Sequence, residues 1–166
     1  MNGVIVCDSY YGNALQVAES LGEEFRALGH DITVVNLHQQ KLDPRKPPVA
    51  GAGFLGVGGP TRMKNMSRRT RSFANKLDPA KLPGVRIFTF DTWGPLDKDP
   101  TKNAEDNQWL FPGGGVKTRD ELVAAGFVVY ADVLRCLVTE MKGPLAEDAL
   151  DSARQFARRF AADELG

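Results

Sequence analysis

Short apolar runs alternate along the chain with longer stretches in which apolar residues recur every three or four positions. The runs are Gly3 to Cys7, Asp31 to Asn36, Gly53 to Gly58, Val85 to Phe90 and Phe127 to about Val133. Four of the five are nearly continuous rather than alternating, as expected when helices cover both faces of a parallel sheet. They predict five strands in one α/β sheet. The first helix is predicted from about Asn13 to Leu28, with Leu15, Ala18, Leu21, Phe25 and Leu28 on one face and Gly29 ending it. A second uses Met66, Thr70, Phe73 and Leu77, with Asn65 or Ser67 as cap. A shorter helix precedes Gly126, starting near Gly113 to Gly115. The last uses Leu150, Ala153, Phe156 and Phe160, with Pro144 suited to a first helical position. Three prolines make Leu42 to Gly51 a connector. Gly94 to Gly115 reads as a long loop, which in a compact α/β domain is more often functional than idle.

Right-handed crossovers put the C-terminal ends of parallel strands at one edge, where ligands of such sheets bind. Three segments leave those ends and should converge: Asp8 to Ala14, Gly59 to Asn65, and Asp91 to Leu96. The first is a strand, a turn and a helix start in succession, where free backbone N–H groups and the positive end of the helix dipole attract an anion. Ser9 and Asn13 offer side-chain hydrogen bonds, Gly12 lets backbone approach closely, and the amides of Gly12, Asn13 and Ala14 complete a phosphate cradle. The plainer alternative is a tight turn with a polar cap and no ligand.

Composition narrows the choice. The 166 residues fit one domain, 1–166, and the 42% hydrophobic and 25% charged residues are those of a globular protein. Twenty-one basic and 21 acidic residues cancel, so the overall balance favours neither nucleic acid nor a membrane surface. No run approaches the roughly 18 apolar residues of a membrane span, and a cytoplasmic protein without membrane insertion is expected. Cys7 and Cys136, both in apolar runs, read as buried reduced thiols. His30 and His38 lie outside the three converging segments, so no histidine triad or multi-histidine metal site is expected. A P-loop is absent, and neither glycine cluster has the spacing of a dinucleotide fingerprint. The segment from Arg62 to Lys76 carries six basic residues and no acid, which suits a solvated helix face or an anionic partner.

The pattern Ser9-Tyr10-Tyr11-Gly12-Asn13 after a first strand resembles the FMN-phosphate loop of flavodoxins and of the flavodoxin-like NAD(P)H:quinone oxidoreductases. The commoner family loop has hydroxyl residues at the positions of Tyr11 and Ala14. The stretch Gly59-Pro60-Thr61-Arg62-Met63-Lys64-Asn65-Met66-Ser67 is similar to the flavin-contacting segment of the quinone-reductase branch. The resemblance implies a flavodoxin-like three-layer sandwich, with a five-stranded parallel sheet in the order 2-1-3-4-5. It sets Cys7 and Cys136 three strands apart, too far for a disulfide, whose Cα atoms must lie within about 7 Å. It also implies FMN as cofactor, held at its phosphate by Ser9, Tyr10, Tyr11, Gly12, Asn13 and Ala14. Pro60, Thr61, Arg62, Met63, Lys64 and Asn65 would contact the ring and ribityl chain. Asp91, Thr92, Trp93 and Gly94 would close the opposite side, Trp93 competing with Tyr10, Tyr11 and Trp109 to stack on the ring. Gly143-Pro144-Leu145 resembles an architectural junction of small flavodoxin-like proteins.

Three functions follow from that resemblance. The first is electron transfer through bound FMN to a redox partner protein. The second is an NAD(P)H-dependent oxidoreductase reducing a quinone-like acceptor, and the third is a binding module that keeps the fold without flavin. In each, no side chain need act as acid or base. Flavodoxins are commonly acidic, from which this neutral chain departs.

Overall fold

The computed structural model describes residues 1–97, 99 and 107–166. Part of the expected loop from Gly94 to Gly115 therefore lies outside the described residues. The strands are β1 (Asn2–Cys7), β2 (Asp31–Asn36), β3 (Phe54–Arg62), β4 (Asn65–Met66), β5 (Arg86–Trp93) and β6 (Val129–Leu137). The helices are α1 (Asn13–Ala27), α2 (Arg68–Asn75), α3 (Gly114–Ala124) and α4 (Ala149–Phe160). The five long strands are parallel and lie in the order β2-β1-β3-β5-β6, while the short β4 pairs antiparallel with β3 alone. Without β4 this is the expected order 2-1-3-4-5. Cys7 and Cys136 are buried and free, on strands three positions apart.

Strand alternation sends consecutive apolar residues to opposite faces. Ile5 and Cys7 pack with Val17, Leu21 and Phe25 of α1 and Phe156 and Phe160 of α4. Val4 and Val6 pack with Phe73 of α2 and Leu122 of α3. The first core is aromatic, and glycines on neighbouring strands make room for its rings. Gly3 pairs with Phe54, Gly56 with Phe88 and Gly58 with Phe90, and a Cβ on any of the three glycines would enter the ring beside it. Among the described residues no helix is long and apolar enough to cross a membrane.

Several expected boundaries move. β3, β5 and β6 run past Gly58, Phe90 and Val133 because parallel pairing continues through polar residues, from Gly59 opposite Asp91 to Trp93 opposite Leu137. Thus Gly59 to Arg62 and Asp91 to Trp93 are strand rather than loop. Backbone hydrogen bonds carry the strands beyond the end of their apolar pattern. Pro144 does not begin α4, which starts at Ala149. It sits in a return after β6, where its carbonyl accepts from the Thr139 amide beside a bridge between Val138 and Leu145. His38 corrects another expectation, for it follows the C-terminal end of β2 and lies edge-on to Tyr10 with ring centroids 4.9 Å apart. It thus stands at the ligand edge, although the sequence reading put it elsewhere.

Candidate functional site

At the C-terminal edge the segment after β1 turns into α1 through Gly12, whose φ of 95° is left-handed. That conformation, rather than crowding, explains the glycine, since a Cβ there would meet nothing within 4 Å. α1 has no side-chain cap and no acidic residue in its first turn, so its free amides and dipole face the edge unneutralised. Asn36 at the end of β2 pins the turn. Its side chain accepts from the Ser9 amide at 2.8 Å and donates to the Ser9 carbonyl at 3.0 Å. Ser9 is 4% exposed, and its buried hydroxyl has no hydrogen-bond partner. A buried hydroxyl without a partner costs about 1–3 kcal/mol unless a ligand satisfies it.

The second wall is the β3–β4 hairpin. Arg62 pairs with Asn65, leaving Met63 and Lys64 as a two-residue turn with positive φ at both, 49° and 75°. Such mirror-image turns suit strand twist and usually carry asparagine and glycine. Holding two ordinary residues there stores strain, of a kind that clusters at binding sites. Behind the hairpin, the Lys117 ammonium of α3 donates to the Asn65 side chain at 2.8 Å.

Asp91, on β5, ties the walls together beneath the site. Its fully buried carboxylate accepts from Arg135 Nε on β6 at 2.9 Å, the Gly115 amide at the start of α3 at 2.8 Å, and the Thr61 hydroxyl at 3.1 Å. Thr61 accepts in turn from the Gly114 amide at 2.9 Å. Burial pushes the Asp91 carboxyl above the usual carboxylate range, while Arg135, the Gly115 amide and Thr61 pull it back. The run Gly113-Gly114-Gly115 has a packing reason: side chains there would collide with Arg135, with Met66 and with Val133. Arg135 also donates to the Leu110 carbonyl at 3.1 Å and lies 4.5 Å from the centroid of the Trp93 ring. One cation thus positions two tryptophan-bearing segments, those of Trp93 and Trp109.

These elements enclose a cavity of about 390 Å³, within the range of roughly 300–1,000 Å³ typical of small-molecule sites. Ser9, Tyr10, Tyr11, Asn13, Ala14, Pro60, Thr61, Arg62, Met63, Thr92, Trp93 and Gly94 all line it, so the three expected segments do converge. Gly12, Lys64, Asn65 and Asp91 lie outside the lining; Gly12 acts through the backbone, Lys64 is at the exposed hairpin tip, Asn65 faces Lys117 behind the hairpin, and Asp91 lies beneath the floor. Asn13 is partly committed, since its side-chain amide donates to the Lys142 carbonyl at 3.1 Å.

Trp109, Val138 and Met141 also line the cavity. The segment after β6 is a fourth wall that sequence reasoning assigned to architecture. The signal was present: with β6 ending at Leu137, its exit must leave the same edge as the others. Nothing local marked Arg135 or Asn36, whose partners lie 44 and 27 residues away in sequence.

No protein-family model matches the chain, and no curated protein matches its sequence. Its structure does have solved relatives. Oxidised Flavodoxin 2 from Bacillus cereus covers 98% of this chain and 99% of its own, with a TM-score of 0.74 at 16% identity. A flavodoxin from the domain Archaea covers 100% of both, with a TM-score of 0.73 at 17% identity. The Flv1 flavodiiron core from Synechocystis sp. PCC6803 covers 99% of this chain but 36% of its own, with a TM-score of 0.68 at 14% identity. The described residues have the flavodoxin-like α/β fold.

Proposed function

We propose that the chain binds FMN in the strand-end cavity and transfers electrons through it. The observation that carries this reading is the Ser9 hydroxyl, buried and unpartnered beside an uncapped helix start, in a cavity also lined by Tyr10, Tyr11, Trp93 and Trp109. Ser9 and the amides of Gly12, Asn13 and Ala14 would hold the phosphate, where the dipole of α1 favours negative charge. The aromatic rings and the Pro60–Met63 strand end would flank the planar ring system. When bound, FMN supplies the redox chemistry; the protein supplies binding, orientation and exclusion of water. The flavodoxins that share the fold support the same ligand.

The test is a titration of purified protein with FMN, following the flavin absorption bands and quenching of flavin fluorescence. Binding at or below micromolar concentration is expected, and its failure would overturn the proposal in favour of a flavin-free binding module. A second reading, an NAD(P)H-dependent quinone reductase, is favoured by the Pro-Thr-Arg hairpin, which brings Arg62 to the cavity where a nucleotide phosphate could pair. Steady-state NADPH oxidation with a quinone separates the two. Turnover would establish the enzyme, and its absence in the loaded protein the carrier.

A further inference from the structure

The basic segment from Arg62 to Lys76 has a place in the fold that a solvated helix face does not explain. Arg62, Lys64, Arg68, Arg69, Arg71 and Lys76 are all exposed, on the hairpin tip and then along α2. Some cations elsewhere are matched to acids, as in Arg135 with Asp91, Arg158 with Glu24 and Arg86 with Glu164. Among the described residues this segment makes one ion pair, a loose contact of 4.0 Å between Arg69 and Asp8. In a chain whose total charge is zero, the strip is a concentrated local excess. It begins at the cavity mouth, because Arg62 and Met63 line the cavity and Met63 at the strained tip is 74% exposed. Exposed Tyr10 and Met141 stand on the same cavity's rim.

The shape of the strip selects its occupant. A small anionic ligand in the cavity would meet Arg62, whereas the other cations lie outside the lining. They extend along the solvent side of a helix of 8 residues, about 12 Å at 1.5 Å per residue, which suits a macromolecular face. Charge complementarity then calls for an acidic partner, and the apolar tip at the mouth for one that seats over the cavity. We infer that Arg62, Lys64, Arg68, Arg69 and Arg71, with Met63 at their end, form the docking face for an acidic electron-transfer protein. This rests on the FMN reading and specifies its partner.

The probe is an acidic [2Fe–2S] ferredoxin, reduced beforehand and mixed with FMN-loaded protein in a stopped-flow spectrometer. Two reduced clusters each lose one electron, and the flavin gains the two electrons with protons from water. The second-order rate is expected to fall about tenfold or more as sodium chloride shortens the Debye length from about 30 Å toward 3 Å. Reduction of a basic ferric cytochrome c by the protein with its FMN reduced beforehand, one electron passing from the flavin to each haem, should show the opposite salt trend. Arg68→Glu with Arg71→Glu should cut the ferredoxin rate about tenfold at low salt and leave FMN affinity unchanged, both residues lying outside the cavity. Calorimetric titration of flavin-free protein with oxidised ferredoxin should show the same salt-sensitive loss in the double variant, which separates failure of docking from failure to bind FMN. Salt-independent rates, or a double variant that reacts and binds like wild type, would overturn the inference. So would binding of 2′,5′-ADP lost in the double variant, since that would assign the strip to a nucleotide phosphate.

Discussion

Ser9 and Arg135 show how far single residues can be read. Ser9 stood out as a candidate because a hydroxyl in a strand-to-helix turn is placed to meet an anion, although a polar cap without ligand would read the same. Its buried hydroxyl is an unmet cost in the flavin-free protein, so Ser9→Ala should stabilise that form by about 1 kcal/mol. It should weaken FMN binding about tenfold, the value of one hydrogen bond to a charged group, and unchanged affinity in a fluorescence titration would remove Ser9 from the phosphate site. Arg135 was illegible, because its work is done on Asp91, Leu110 and Trp93, all distant in sequence. Arg135→Leu should destabilise the protein by about 3 kcal/mol at neutral pH, since it strands a buried carboxylate. The pH dependence has a definite sign. Burial already holds the Asp91 pKa above its unfolded value, so its contribution is most favourable at acid pH and is lost as pH rises through the folded pKa. Removing Arg135 raises that pKa further. The variant should approach wild-type stability as pH falls toward the ordinary carboxylate range and diverge from it above. Urea unfolding at a series of pH values checks this, and a deficit independent of pH would indicate lost packing rather than lost charge pairing.

Among the elements, α1 and the buried strands were readable because their periodicity is driven by burial, which every turn of helix or pair of strand residues repeats. The β3–β4 hairpin was not. Its second strand has 2 residues, and Met63-Lys64 has none of the asparagine or glycine that marks a turn of positive φ. Supplying those turn residues, through Met63→Asn with Lys64→Gly, relieves that strain and should stabilise the protein by about 1 kcal/mol. Thermal unfolding measures it. The same variant removes the exposed apolar tip, so ferredoxin reactivity should fall while stability rises. A loss of stability would show that contacts made by Met63 or Lys64 outweigh the backbone strain. The strand extensions beyond Gly58, Phe90 and Val133 were hidden for a different reason. Backbone pairing continues them through polar side chains, and a hydropathy pattern carries no record of backbone hydrogen bonds.

At the scale of the whole molecule, two aromatic and aliphatic cores sandwich the sheet, and the two cysteines report on their integrity. Burial pushes the Cys7 and Cys136 thiols up to about 12, so neither supplies thiolate at neutral pH. Modification by a thiol reagent should therefore proceed at the rate of global unfolding, slowing as FMN is added, and rapid labelling of the native protein would show that one core opens locally. Near-continuous apolar strands alternating with amphipathic helices determined the layered fold and the edge at which a ligand must sit, while the strand order came from the resemblance of two loops to a known family. They did so because burial and chain connectivity are written locally, residue by residue. The tertiary structure alone decided that Asp91 and Arg135 are the floor beneath the cavity, that the segment after β6 is its fourth wall, and that the basic strip begins at its mouth. Those facts depend on which distant residues become neighbours, and side-chain contacts across the sheet leave no period in the sequence.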